Sequence, residues 1–321
     1  MKNLFIILFI LTNILGKSQE STLILASDVW PPFTNVEGEK RITLDIVGTA
    51  LERLSIENKI VIEDFQDVIT GIESGQYSGS SALWYSEERA KEMIFSEPYL
   101  YNQLILVGRK GSDVSAISFD DLAEVKIGVV ENYAYGEDLT KNSKIVIVKG
   151  LSDQKNLEAL LAKKVDYILV DALLIQYLLK YQVNDVSEFL EIGNNPLSIK
   201  ALHFALNKNI ENSAQIIASF NVEISEMLTD GSYHEILELN WIKEDIDGDG
   251  KMEMVFIGNK AGSSQPSNAY SMSPSNMAIN EGFYINGEFY LTWDQVPGDL
   301  KVNITESEFS NYHEGGIILK F

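Results

Sequence analysis

Two hydrophobic rhythms alternate along the chain. Thr22-Leu23-Ile24-Leu25-Ala26 is a short, nearly unbroken apolar run, the pattern of a strand buried on both faces. Leu44, Ile46, Val47, Ala50, Leu51 and Leu54 then recur at helical spacing and predict an amphipathic helix from Leu44 to Leu54. Lys59 to Ile62 predicts a strand, and Gln66 to Ser74 a helix whose end Gly75 marks. Ala82-Leu83-Trp84 reads as the end of a third strand, and Gln103 to Val107 is extended. Strand, helix, strand, helix, strand is the order of a parallel sheet covered by helices.

The alternation restarts after Val107-Gly108-Arg109-Lys110-Gly111-Ser112, where two glycines can absorb backbone rotation. Ser118 to Leu122 is a short capped helix. Strands are predicted at Lys126 to Val130, Ile145 to Val148 and Tyr167 to Val170, with helices at Asp153 to Ala162 and Ala172 to Tyr181. Leu197 to Leu206 returns as extended chain, and Ile210 to Leu228 is a long amphipathic helix that Asp230-Gly231-Ser232-Tyr233 ends. Two crossovers imply one lobe built from both chain ends, residues 19–108 and 200–242, with residues 109–199 inserted as a second lobe.

The remainder, residues 243–321, changes character. Residues 262–278 are rich in Ser, Asn and Pro and read as a loop. Phe283-Tyr284-Ile285, then Asn286-Gly287, then Glu288 to Trp293 is a strong hairpin signal. Lys301 to Ile304 and Ile317 to Phe321 add strands, so this part is expected to be a small β-rich module.

Composition narrows the function. The 321 residues carry a net charge of −22, which argues against nucleic acid and anionic membrane surfaces as partners. Cysteine is absent, which excludes disulfides, thiol nucleophiles and thiolate metal sites. Lys2 followed by the largely apolar Leu4 to Leu15 reads as a secretory signal, with Gly16 and Ser18 placing cleavage after Ser18. At about a dozen residues that run is short for a membrane span. The mature chain is expected to be periplasmic or secreted and not membrane-embedded.

Four places carry candidate chemistry. Trp84-Tyr85-Ser86-Glu87-Glu88-Arg89 puts Arg89 in the first turn of a short helix capped by Ser86, just past a strand end. Ligands bind at that place in α/β sheets, and a guanidinium there can grip a carboxylate through two parallel bonds. Alone, Arg89 would equally suit an exposed helical turn. Trp30 and Phe33, past the end of the first strand, either wall a cleft or pack the core. Asp171, at the end of the strand Tyr167 to Val170, can cap the next helix, accept from a ligand ammonium, or do both with one oxygen each. Asp245, Asp247, Asp249 and Glu253 stand at positions 1, 3, 5 and 9 of a loop with glycine at position 6. Calcium loops space their oxygen donors in this way. Position 12 is Phe256, so the loop is not a complete EF-hand, and an acidic solvated turn is the alternative. His203, in an apolar strand, reads as a satisfied core histidine.

A strand, then Ser86-Glu87-Glu88-Arg89, then Phe95-Ser96-Glu97-Pro98-Tyr99 resembles the extracytoplasmic solute-binding proteins of the amino-acid-receptor type, over about residues 22 to 242. The resemblance implies a two-lobed, periplasmic-binding-protein-like (type II) α/β fold with two interlobe crossovers. It implies that Arg89 holds a ligand carboxylate, that Asp171 meets an amine, and that Trp30 and Trp84 form the apolar wall. Where the family has a glycine-threonine turn, this chain has Asn132-Tyr133, which keeps a backbone role toward the ligand. Trp84-Tyr85 stands in place of a threonine-rich strand, and its indole either narrows the pocket or replaces a hydrogen bond with stacking. The expected function is capture of a small polar, carboxylate-bearing solute such as an amino acid, read by an ABC-type permease or a sensor. Two other classes compete: an elimination or dehydratase-like enzyme on the same scaffold, and a calcium-dependent extracellular interaction protein. His203, His234 and His313 are scattered without metal-ligand spacing, and no nucleophile–base motif stands out.

Overall fold

A computed structural model describes residues 22–181, 188–237, 240–257, 270–271 and 279–301. The signal-like segment, the Ser/Asn/Pro-rich loop apart from Tyr270 and Ser271, and the strands expected at Lys301 to Ile304 (apart from Lys301) and Ile317 to Phe321 lie outside the described residues.

Strand β1 (Leu23–Ser27) lies between parallel β2 (Asn58–Ile62) and β3 (Gly79–Trp84), and the connections are helices α1 (Ile42–Arg53) and α2 (Phe65–Glu73). Strand β3 is buried along its whole length, which explains its uncharged sequence Gly-Ser-Ser-Ala-Leu-Trp. Gly79 is required there by close backbone approach: a Cβ would meet the Ala205 carbonyl oxygen at 2.0 Å.

Beyond a single 3₁₀ turn come β4 (Met93–Phe95) and the long β5 (Leu100–Arg109). Then follow β6 (Val125–Val130), α3 (Glu137–Thr140), β7 (Ile145–Gly150), α4 (Asp153–Leu161), β8 (Tyr167–Asp171) and α5 (Ala172–Tyr181). The long β9 (Leu190–Asn207) leads back to α6 (Ser213–Asp230) and α7 (Ser232–Leu237). The sheet runs β2-β1-β3-β9-β5-β8-β6-β7, with β4 also on β9.

The two long antiparallel strands are the crossovers. Leu100 faces Leu202 at one end of the β5–β9 pair and Arg109 faces Leu190 at the other. One end of β9 pairs with β3, while β5 from Leu104 to Gly108 pairs with β8. The second lobe's sheet therefore starts before the glycine-marked stretch at Gly108. Gly108 itself sits inside the ladder, where a Cβ would strike Ser112 at 2.6 Å. Its role is close packing within a strand rather than rotation between lobes.

The chain ends join in the first lobe. Helix α1 packs against α6 and α7, and Arg53 donates to Glu223 (3.2 Å), Asp230 (2.7 Å) and the Ser232 hydroxyl (2.8 Å).

A second sheet forms from β10 (Trp241–Glu244), β11 (Met252–Phe256), β12 (Tyr270–Ser271), β13 (Ile279–Ile285) and β14 (Glu288–Tyr290), in the order β12-β10-β11-β13-β14. It has its own core of Trp241, Met254, Phe256, Phe283, Ile285 and Val296. Asn286 and Gly287 both take positive φ (53° and 82°), as a two-residue hairpin with the twist of its strands requires. The hairpin is shorter than its apolar run suggested: β14 stops at Tyr290, and Thr292 opens a 3₁₀ turn at Trp293–Gln295 through a capping box.

Candidate functional site

The C-terminal ends of β1, β2 and β3 in the first lobe face those of β6, β7 and β8 in the second. Ser86 Oγ accepts from the Arg89 backbone N–H (3.2 Å), but the residue directly before the helical turn is Glu88, which makes no side-chain cap bond. The helix is only one 3₁₀ turn, Arg89–Lys91, because β4 must begin at Met93 to pair with β9. Arg89 is 6% exposed and its guanidinium faces the gap between the lobes. Nη1 donates to the Trp84 carbonyl (2.7 Å) in its own lobe, and Nη2 to the Asn132 carbonyl (2.7 Å) in the other. The guanidinium also lies over the Phe65 ring, 5.2 Å from its centroid. Burial lowers its pKa to about 10, opposed by Tyr133, Glu73 and Asp28, so it stays charged at neutral pH.

Asn132 adopts a left-handed conformation (φ 65°), and its side-chain amide donates to Gln66 Oε1. Tyr133 crosses the gap and donates its hydroxyl to Asp28 Oδ2 (2.8 Å). Its ring lies 4.6 Å from Phe65, 5.2 Å from Trp84 and 5.9 Å from Trp30, centroid to centroid. Trp84 is fixed by a bond from its indole N–H to Asn102 Oδ1 (2.7 Å). Trp30 reaches the wall edge-on to Trp84, whereas Phe33, fully buried, is core. Arg89, Trp30, Trp84, Asn132 and Tyr133 thus come together as one cluster. The space left inside it is about 10 Å³.

Asp171 is placed differently. Its Oδ1 accepts from the Leu173 and Leu174 N–H groups (2.7 and 3.3 Å), and Oδ2 from the Gln103 N–H (2.9 Å). It is 1% exposed, and the helix-cap reading of the sequence describes what it does. His203 is buried with Nδ1 on the Ser96 carbonyl (2.7 Å), as a core histidine should be.

The open space lies on the other side of Asp28. A cavity of about 500 Å³ is lined by Asp28, Pro31, Glu63, Asp64 and Phe65 from the first lobe. From the second lobe Leu151, Asp153, Leu157, Leu174 and Leu178 close it. Asp28 directly follows β1 and Asp153 opens α4; the sequence pattern places Asp153 at the start of a helix and gives Asp28 no role. The signal that would have singled them out is their shared location at strand-to-helix junctions in the two halves.

The sequence profile of the bacterial extracellular solute-binding proteins, family 3, matches residues 23–244. The chain belongs to that family. Relatives of this family 3 protein include the L-cystine-binding protein TcyJ of Escherichia coli K12, 25% identical over 72% of this chain and 85% of the relative. The glutamine-binding protein GlnH of Bacillus subtilis is 25% identical over 51% of this chain and 57% of its own length. Among solved structures, the GluR0 ligand-binding core of Nostoc punctiforme with L-glutamate superposes with a TM-score of 0.56 at 20% identity, over 67% of this chain and 97% of the other. A histidine kinase sensor domain similar to periplasmic binding proteins gives 0.58 at 17% identity, over 68% and 94%. These structures share the fold. The family and its relatives are binding proteins, not enzymes. No helix among the described residues is long and apolar enough to cross a membrane.

Outside the matched region, carboxylate oxygens of Asp245, Asp247 and Glu253 lie within 4.8 Å of one another. Asp249 is not in that group; it accepts from the Lys251 N–H and lies 3.3 Å from its ammonium.

One buried carboxyl, Asp171, and two half-buried ones, Asp28 and Asp153, are expected to give this solute-binding protein a pH signature. Burial raises Asp28 from 3.8 to about 6, against the bond from Tyr133. Burial likewise raises Asp171 to about 7, and Asp153 to about 8 with added repulsion from Asp28 and Asp171. Each binds its proton more tightly folded than unfolded. Their stabilising contribution is complete below the unfolded value and is lost as pH rises through the folded ones. His203 and His234, held below 6.5 by burial, act in the opposite sense, but only below that value. The melting temperature is therefore expected to fall between about pH 7 and 8.5. A flat or rising profile in a buffer-matched thermal scan would contradict this.

Proposed function

We propose that this solute-binding protein is exported, closes its two lobes over a small polar solute, and is read in the closed form by an ABC-type permease or a sensor. One observation carries the reading: the cavity of about 500 Å³ is walled by both lobes, beside the two strands that link them. A solute held there binds the closed arrangement better than the open one and so shifts the hinge equilibrium. The relatives' names, for cystine and glutamine, point to amino acids and related solutes. A ligand carboxylate on Arg89 would have to take the place of the Asn132 carbonyl, whereas an ammonium has the carboxyls of the cavity to meet.

The test is a thermal-shift screen of the mature chain against amino acids, small carboxylates and small amines. A solute at a hundred times its dissociation constant adds about 2.7 kcal/mol. For a body of this size that is a rise of about 5–10 °C. If no class of small polar solute moves the melting temperature, the reading fails.

We also propose that the Asp245–Glu253 loop holds a calcium ion through Asp245, Asp247 and Glu253. Gly248 and Gly250, both at positive φ, let the loop fold its carboxylates together. Added calcium should raise the unfolding temperature of the C-terminal sheet, and chelator should reverse it. Asp247→Asn should lose most of that response; equal responses in both proteins would dismiss the ion.

A further inference from the structure

We infer that the solute selected by this cleft is a small organic cation with an apolar body and no carboxylate. The inference rests on the binding-protein reading above and names its solute class.

The first support is that the anion anchor is already satisfied. The two forward donors of Arg89 are taken by the Trp84 and Asn132 carbonyls, both at 2.7 Å. The space beside it is filled by the Tyr133 ring, and the remaining 10 Å³ is barely the room of one water. Arg89 works here as a latch between lobes. Tyr133, with its hydroxyl on Asp28, is the bolt beside it.

The second support is the lining of the cavity that stays open. Asp28, Glu63, Asp64 and Asp153 give it four carboxyls, and among the described residues no Lys, Arg or His lines it. Asp153 accepts no hydrogen bond from any described residue. Asp28 and Asp153 also repel one another, each coming from a different lobe. Closing the lobes therefore brings like charges together, which disfavours closure unless a proton or a cation joins them. A cation between them removes that penalty in the closed form only, so closure becomes coupled to the charge of the solute. A ligand carboxylate in the same space would add to the repulsion.

The third support is the apolar side. Phe65, Leu157 and Leu178 also line the cavity and suit a hydrocarbon or aromatic body. The net charge of −22 further concentrates cations at the surface.

Matched pairs test this directly. Isothermal titration would compare agmatine with arginine, cadaverine with lysine, and phenethylamine with phenylalanine. The amine of the best pair is expected to bind at least about tenfold tighter than its parent amino acid. Tighter binding of the parent, or binding confined to carboxylates or neutral solutes, overturns the inference and leaves the binding-protein reading standing. Absence of binding by every solute class overturns both. Asp153→Asn should weaken the amine more than tenfold while the free protein melts no lower than the parent, because the substitution removes a half-buried carboxyl that repels its neighbours. An unchanged amine affinity in that variant also overturns the inference.

Discussion

Arg89→Ala should lower the melting temperature by about 4–16 °C and leave the lobes apart on average. The guanidinium is the donor to two carbonyls, one in each lobe, and both bonds are charge-assisted. Bonds of that kind contribute about 1.5–3 kcal/mol each, and their loss strands acceptors in a site with almost no room for water. A net loss of about 2–4 kcal/mol follows once part of the cluster relaxes, and about 2–4 °C accompanies each kcal/mol at this chain length. Arg89→Lys should recover little, since an ammonium on a flexible stem does not span two fixed carbonyls as a planar fork does. Differential scanning fluorimetry gives the stability and small-angle scattering the lobe separation. An unchanged radius of gyration in Arg89→Ala would show that the latch does not hold the lobes.

Trp84→Ala is the second large effect, at about 3–5 kcal/mol by urea denaturation. The indole is 5% exposed and packs edge-on against Trp30, Tyr133 and Tyr135. Removing it opens a hole in the wall shared by both lobes and frees the Tyr133 ring. Trp84→Phe should keep most of the packing and lose the 2.7 Å bond to Asn102, a cost of about 1–2 kcal/mol. If phenylalanine proves as damaging as alanine, the hydrogen bond rather than the ring holds this wall.

Much of the first lobe was legible as a one-dimensional pattern. Helix α1 carries Leu44, Ile46, Val47, Ala50 and Leu51 on one buried face, which fixes its type before any fold is known. The same holds for the Asn286-Gly287 turn, whose positive φ values only such residues adopt cheaply. The place of Arg89 past a strand end was legible because it is local, and so was the bond from its N–H to Ser86. Asp171 was not decided by sequence. A carboxylate after a buried strand suits a cap or a ligand equally, and only the Gln103 N–H and the Asn102 side chain arriving from β5 show that it is held within the fold. Asp28 and Asp153 were passed over for a related reason: neither lies in a local pattern unusual enough to mark it.

By itself the sequence determined the elements, their two-lobed order and the family, because periodicity, caps and turns are short-range properties written into neighbouring residues. What occupies the gap was decided by tertiary structure alone. Tyr133 is far from Asp28, Trp84 and Phe65 along the chain, and its insertion beside Arg89 depends on how two long strands set one lobe against the other. That distant packing sets the Arg89 guanidinium between carbonyls of both lobes, and lines the open volume with carboxyls that the two halves contribute separately.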